Sequence, residues 1–196
     1  MLKKERVYRE ILYQVLEKNN AKFTQLALAR KFNISLSTVN YAIAPLSQMN
    51  AVTVNLKNFV VTDPRKILYL WASIRNLKIL FRTRVEMSVS EIEANMPDNI
   101  IFSAYSSYKF RYKDTPADYS EIYVYGDSSL IDRFPQTDKT SNLFVLEKDE
   151  FISGYGKLTT VANTFVDLWN ISSWYAKEFS KAMEERINGI LEQHSY

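Results

Sequence analysis

The amino-acid sequence predicts an α+β protein: three helices and a β-hairpin at the N-terminus, a connecting helix, and a C-terminal α/β domain with a small sheet covered by helices. Three observations predict it. Apolar residues recur at three-to-four spacing through the first fifty positions, the mark of amphipathic helices. Two β-rich runs around a polar tip follow, as a hairpin requires. Beyond residue 78, strand-like and helix-like runs are interleaved, which places helices on a sheet. The expected bounds are 1–63, 64–77 and 78–196.

The first helix runs from Lys4 to Glu17, with Val7, Tyr8, Ile11, Leu12, Val15 and Leu16 on its inner side. Asn19-Asn20 ends it. Thr24 caps a short second helix through Leu26, Leu28, Ala29 and Phe32, and Asn33 suits a tight turn because asparagine accepts the left-handed conformation. Ser35 or Ser37 caps a third helix. Its Val39, Ile43 and Leu46 make a buried stripe, so Ser37, Thr38, Asn40, Tyr41 and Ala44 face outward. Pro45 removes an amide and crowds the Tyr41 carbonyl, which predicts a kink or an early end. Val52–Thr62 then reads as the hairpin.

The stretch Leu28-Ala29-Arg30-Lys31-Phe32-Asn33-Ile34-Ser35-Leu36-Ser37-Thr38-Val39 resembles the helix-turn-helix of prokaryotic winged-helix regulators over residues 4–62. The resemblance implies a double-stranded DNA partner, with the third helix entering the major groove by its N-terminal end. Asn40 is the expected base reader, since its amide can pair with N6 and N7 of adenine. Tyr41 reaches a base or a phosphate. Ser35, Ser37 and Thr38 hold phosphates, and Arg30, Lys31, Lys57 and Asn58 add phosphate or minor-groove contacts.

Charge is divided along the chain in a way that agrees with this expectation. Residues 1–86 carry 15 Lys/Arg and 5 Asp/Glu, a balance of +10, whereas residues 87–196 carry 10 and 17, a balance of −7. A basic half beside an acidic half is the electrostatic outline of a nucleic-acid module joined to another domain. The competing reading, a winged helix used for protein assembly, draws on the third helix having no Arg or Lys on its outward face.

Asp63-Pro64 opens the connector with an N-cap and a first-turn proline. Ile67, Leu68, Trp71, Ile74 and Leu77 form a stripe on a helix of about four turns. That stripe either packs on the second domain or forms the seam of a homodimer, which palindromic sites require.

In the second half, strands are expected at 78–85, 100–105, 121–125 and 142–146. Ser88 or Ser90 caps a short helix with Ile92 and Met96 inward, closed by Pro97-Asp98-Asn99. Further helices are expected at 160–169 and 173–191. The aromatic set Tyr105, Tyr108, Phe110, Tyr112, Tyr119, Tyr123 and Tyr125 reads as alternating on strands, lining a core or, in part, a ligand pocket or nucleotide stack.

Asp63-Pro64 with Leu68-Tyr69-Leu70-Trp71, Tyr119–Tyr125, Asn142–Leu146 and Val166–Asn170 resemble AbiEi-type antitoxin/regulators and related archaeal winged-helix proteins. That resemblance implies a DNA-binding repressor or autoregulator, with a cognate toxin of nucleotidyltransferase type as a further partner. The alternative function is the antitoxin of a type IV-like toxin–antitoxin pair, or an assembly or ligand-binding protein whose C-terminal domain is a degenerate nucleotidyltransferase.

Several classes are set aside by composition. There are no cysteines, so disulfides and thiolate chemistry are excluded. His194, the single histidine, sits near the chain end and is expected to be mobile, which argues against a histidine-based triad or metal site. A nucleotidyltransferase needs a Gly-Ser turn and two carboxylates one residue apart. Here Gly126-Asp127-Ser128-Ser129 is followed by Asp132 alone. Gly154-Tyr155-Gly156-Lys157 lacks the Walker spacing and reads as a turn. No catalytic residues, metal or cofactor are expected. No window approaches the roughly 18 apolar residues of a membrane span, so a cytoplasmic protein is expected.

Overall fold

The structure, a computed structural model, describes residues 1–137 and 139–194. It is of the mixed α+β class, and the chain divides into two compact units. Residues 1–75, 160–162 and 184–196 make the first; residues 76–159 and 163–183 make the second.

In the first unit α1 (Lys3–Lys18) buries Val7, Ile11, Leu12, Val15 and Leu16, and Glu5 Oε1 accepts the Leu2 amide at 3.1 Å. A two-residue strand, β1 (Lys22–Phe23), follows and leads to α2 (Gln25–Phe32). Thr24 caps α2 by accepting the Ala27 amide at 3.1 Å. Asn33 takes the left-handed conformation, φ 49° and ψ 50°, and turns the chain into α3 (Leu36–Gln48). With four glycines in the whole chain, asparagine fills this role at positions 19, 33 and 50 alike.

Pro45 does not end α3 early. The helix runs a further turn to Gln48, because proline withholds only the amide that would meet the Tyr41 carbonyl and the carbonyls from Pro45 onward still find donors. Met49 N–H bonds the Pro45 carbonyl, Asn50 N–H that of Ser47, and Ala51 N–H that of Leu46 at 2.8 Å. With Asn50 at φ 57°, the last two bonds form a Schellman stop. The hairpin β2 (Val52–Val54) and β3 (Phe59–Val61) has Val54 opposite Phe59, and β1 pairs with β3, so the antiparallel order is β1-β3-β2.

Asp63 caps α4 (Pro64–Ile74) through the Lys66 amide. The helix is three turns long and stops short of the expected Leu77, since Arg75 turns to extended backbone. Its Ile67, Leu68 and Trp71 are buried as the stripe requires.

The second unit holds β4 (Ile79–Thr83), α5 (Val89–Ala94), β5 (Ile101–Phe102), α6 (Ala104–Tyr112), β6 (Ile122–Gly126), α7 (Leu130–Arg133) and β7 (Leu143–Glu147). A single 3-10 turn at Ile152–Tyr155 contains the Gly154 region, and α8 (Val161–Trp169) and α9 (Trp174–His194) close the fold. The start of α8 and the final turns of α9 count with the first unit. His194 is the half-buried last residue of α9.

The sheet order is β4-β7-β6-β5, with β6 and β7 parallel and the outer pairs antiparallel. One face carries Phe81, Ile122, Val124, Leu143 and Val145 into a core closed by Ile92, Leu130 and Phe134. Gly126 ends β6 where a Cβ would collide with Leu130 Cδ1, so a larger residue there would require the Leu130 side chain to move.

The strand expected at 100–105 is a correction. It is two residues long, and Tyr105, Tyr108, Phe110 and Tyr112 lie on the helix α6. Tyr105, Tyr108 and Tyr112 fall at i, i+3 and i+7, which is a helix face, and Tyr105 and Tyr108 are buried there. Fully buried Asp167 on α8 anchors this layer. Its Oδ2 accepts from Ser103 Oγ and Tyr125 Oη, each at 2.7 Å, and from Asn163 Nδ2 at 2.8 Å. Among the described residues, no helix is long and apolar enough to cross a membrane.

Candidate nucleic-acid interface

The side chains singled out on α3 are placed by its buried stripe. Because Val39, Ala42, Ile43 and Leu46 point inward, Ser37, Asn40, Tyr41, Ala44 and Gln48 form one exposed stripe at helical spacing. Ser35 is the N-cap, accepting the Thr38 amide at 3.1 Å. Its Oγ also lies 2.8 Å from both Ser37 Oγ and Thr38 Oγ1, which draws three hydroxyls together over the first turn. That end of the helix carries the positive pole of the backbone dipoles. Asn40 is exposed, and no described residue hydrogen-bonds its amide. Tyr41 is 72% exposed.

Tyr41 also lines a recess of about 350 Å³ with Tyr8, Pro45, Leu70 and Ile74. Beneath it the Tyr8 hydroxyl donates to the Ala42 carbonyl at 3.0 Å. Burial, with a smaller contribution from the neighbouring Tyr41, pushes the Tyr8 hydroxyl up to about 12 from 10.0.

The basic residues gather elsewhere on the unit. Lys31, Lys57 and Asn58 line a second recess, of about 520 Å³, with Thr24 and Lys22. Lys31 is held there by an ion pair of 2.7 Å with the buried Glu10. Lys57 is exposed at the hairpin tip. Asn58 helps to close that tip: its backbone carbonyl accepts the Asn55 amide at 2.8 Å, and its Oδ1 accepts Asn55 Nδ2 at 3.1 Å. Arg30 is exposed on the last turn of α2.

Sequence reasoning did not single out Lys22, whose two-residue strand leaves no periodic signal, nor Leu56, which stands 99% exposed at the hairpin tip. It also overstated the charge of this unit. The +10 of residues 1–86 includes Lys78, Arg82 and Arg84, which belong to the second unit, while Glu184, Glu185 and Glu192 of α9 belong to the first. The first unit holds 13 Lys/Arg and 7 Asp/Glu, a balance of +6.

In the second unit Asp127, the acidic residue after Gly126, serves a turn. Its Oδ1 accepts the Ser129 amide at 3.0 Å and the Ser129 hydroxyl, and these bonds hold its carboxyl below the usual range. Among the described residues, no three histidine or carboxylate side chains gather as a metal site would require. No family model, no curated protein and no solved structure matches the chain.

Proposed function

We propose that this protein is a sequence-specific DNA-binding transcription regulator, a repressor or autoregulator, whose first unit acts as a winged helix-turn-helix. The observation that carries this reading is the polar stripe of α3 standing open to solvent beside a hydroxyl-lined N-terminus. The helix order, the Asn33 turn between α2 and α3, and the β1-β3-β2 sheet with its protruding tip support it as well.

In this reading the first turn of α3 meets the DNA backbone, where amide groups and the Ser37 and Thr38 hydroxyls donate to phosphate oxygens. Asn40, next along the stripe, then faces a base edge and reads adenine by a two-bond contact. With no Arg or Lys on α3, the protein favours A·T pairs over guanine at the contacted step. Arg30, Lys22 and Lys57 add sequence-independent attraction, which salt weakens by restoring counterions.

Footprinting on the region upstream of the protein's own gene tests the proposal. A protected segment whose occupancy falls steeply with salt is expected. Absence of protection, or equal affinity for unrelated duplexes, overturns it.

A further inference from the structure

The second unit carries a feature that duplex binding by the first does not use. Across its sheet, Arg82 on β4 is the register partner of Phe144 on β7, and Phe144 is the partner of Tyr123 on β6. Side chains of adjacent register partners stand on the same face. This face is opposite to the one bearing Phe81, Val124 and Val145. Over β6 the row is covered: Tyr123 is buried, with the edge of Tyr105 from α6 against it at 6.0 Å. Over β7 and β4 it is open. Phe144 is half-buried, Arg82 is exposed, and both line a trough of about 870 Å³ together with Glu121, Thr137 and Ser141. That volume lies within the roughly 300–1,000 Å³ usual for small-molecule sites.

Two properties of the row define what it can hold. The rings of Tyr123 and Phe144 are parallel, 4.6 Å apart and inclined by 7°. A Phe144 ring that is backed by Tyr123 and still half-open offers a rigid surface on which another planar ring extends the stack. Arg82, its register partner, has no carboxylate partner among the described residues, whereas Lys78 and Arg84 near it in the chain and Lys139 on the rim of the trough are all paired. A guanidinium on the same face as an aromatic surface suits a phosphate, to which it donates two parallel bonds. Arg82 and Phe144 are one strand spacing apart, about 5 Å, so one small ligand can meet both. Glu121, one step along the same face of the chain as Tyr123, is an acceptor for an exocyclic amino group.

We infer that this trough binds a nucleotide unit, its base stacked on Phe144 and its phosphate held by Arg82. The same chemistry is offered by a free mononucleotide and by a single strand of nucleic acid. The site lies wholly within the second unit and stands or falls apart from DNA binding by α3.

NMR titration of the full-length chain separates these cases. Adenosine 5′-monophosphate is expected to shift the Phe144 and Arg82 resonances, and Arg82→Gln and Phe144→Leu are each expected to weaken it roughly tenfold. Adenosine, which lacks the phosphate, is expected to bind Arg82→Gln as it binds the native chain, and ribose 5-phosphate is expected to be indifferent to Phe144→Leu. A short single-stranded oligoadenylate that binds more tightly than the mononucleotide assigns the site to a strand; equal or weaker binding assigns it to the free nucleotide. Should Phe144→Leu fail to fold, Arg82→Gln and Arg82→Glu, both at an exposed position, carry the test. The inference is overturned if neither the four common nucleoside monophosphates nor the oligoadenylate perturbs these residues. Binding that is unchanged in the Arg82→Gln, Phe144→Leu double variant overturns it equally.

Discussion

Glu5 and Arg75, seventy residues apart in the chain, form a buried ion pair in which Arg75 Nη1 lies 3.1 Å from Glu5 Oε2. The same oxygen accepts the indole N–H of the fully buried Trp71 at 3.2 Å, and the other carboxylate oxygen accepts the Leu2 amide. One carboxylate thus ties the start of α1 to the end of α4.

Removing one member of that pair takes a charge partner from the other where water does not reach. Glu5→Ala is expected to lower stability by about 3–5 kcal/mol, whereas replacing both residues with apolar ones of similar volume costs much less. Urea denaturation of the single and double variants measures the difference.

Asp167 accepts from three neutral donors at once, so its loss removes a bond from each of Ser103, Tyr125 and Asn163. Asp167→Ala is expected to destabilise the protein by at least about 3 kcal/mol, at roughly 1–3 kcal/mol for each buried group left unsatisfied. Asp167→Asn, which keeps one acceptor oxygen, falls between. Thermal melting of the two variants orders them.

The Tyr8 hydroxyl gives a pH signature. Its folded value, about 12, exceeds the ordinary 10.0, so the native state holds the proton more tightly than the unfolded chain does. The stability this contributes is complete below pH 10 and is lost as pH rises toward 12. Tyr8→Phe forfeits the bond to Ala42, about 1 kcal/mol at neutral pH. The stability gap between the native chain and this variant is expected to narrow above pH 10, read from urea midpoints across that range.

Two substitutions separate reading from holding on DNA. Asn40→Ala is expected to cost about 1–3 kcal/mol on the cognate site and to relax preference at one base pair. Lys57→Ala is expected to weaken all sequences alike and to reduce the salt slope by about 1. Binding isotherms on cognate and scrambled duplexes at several salt concentrations check both, and an Asn40→Ala protein with unaltered preference removes Asn40 from the interface.

Much of the first unit is written in local spacing. The stripe Val39, Ile43, Leu46 predicts which face of α3 is buried, and Thr24, Ser35, Asp63 and Ser88 each cap the helix that follows them. The region 100–112 misleads because aromatic residues favour strands, and Phe110 beside Tyr108 and Tyr112 gives the alternation of one. Ala104 breaks that pattern unseen: it is buried at φ 47°, a conformation with no sequence signal in an alanine, and it turns the chain from β5 into α6.

The starts of α2 to α5 and the inner faces of α1 and α3 were decided by the sequence itself, because a cap or a buried stripe depends on residues within three or four positions of one another. The tertiary structure alone decided that β6 and β7 lie parallel, that Lys22 joins Lys31 and Lys57 around one recess, and that Arg82, Phe144 and Tyr123 form a row. It also assigned the acidic end of α9 to the first unit, lowering that unit's charge. Such neighbours are selected by the burial free energy of the whole chain, summed over residues far apart in sequence, and no local window contains that sum.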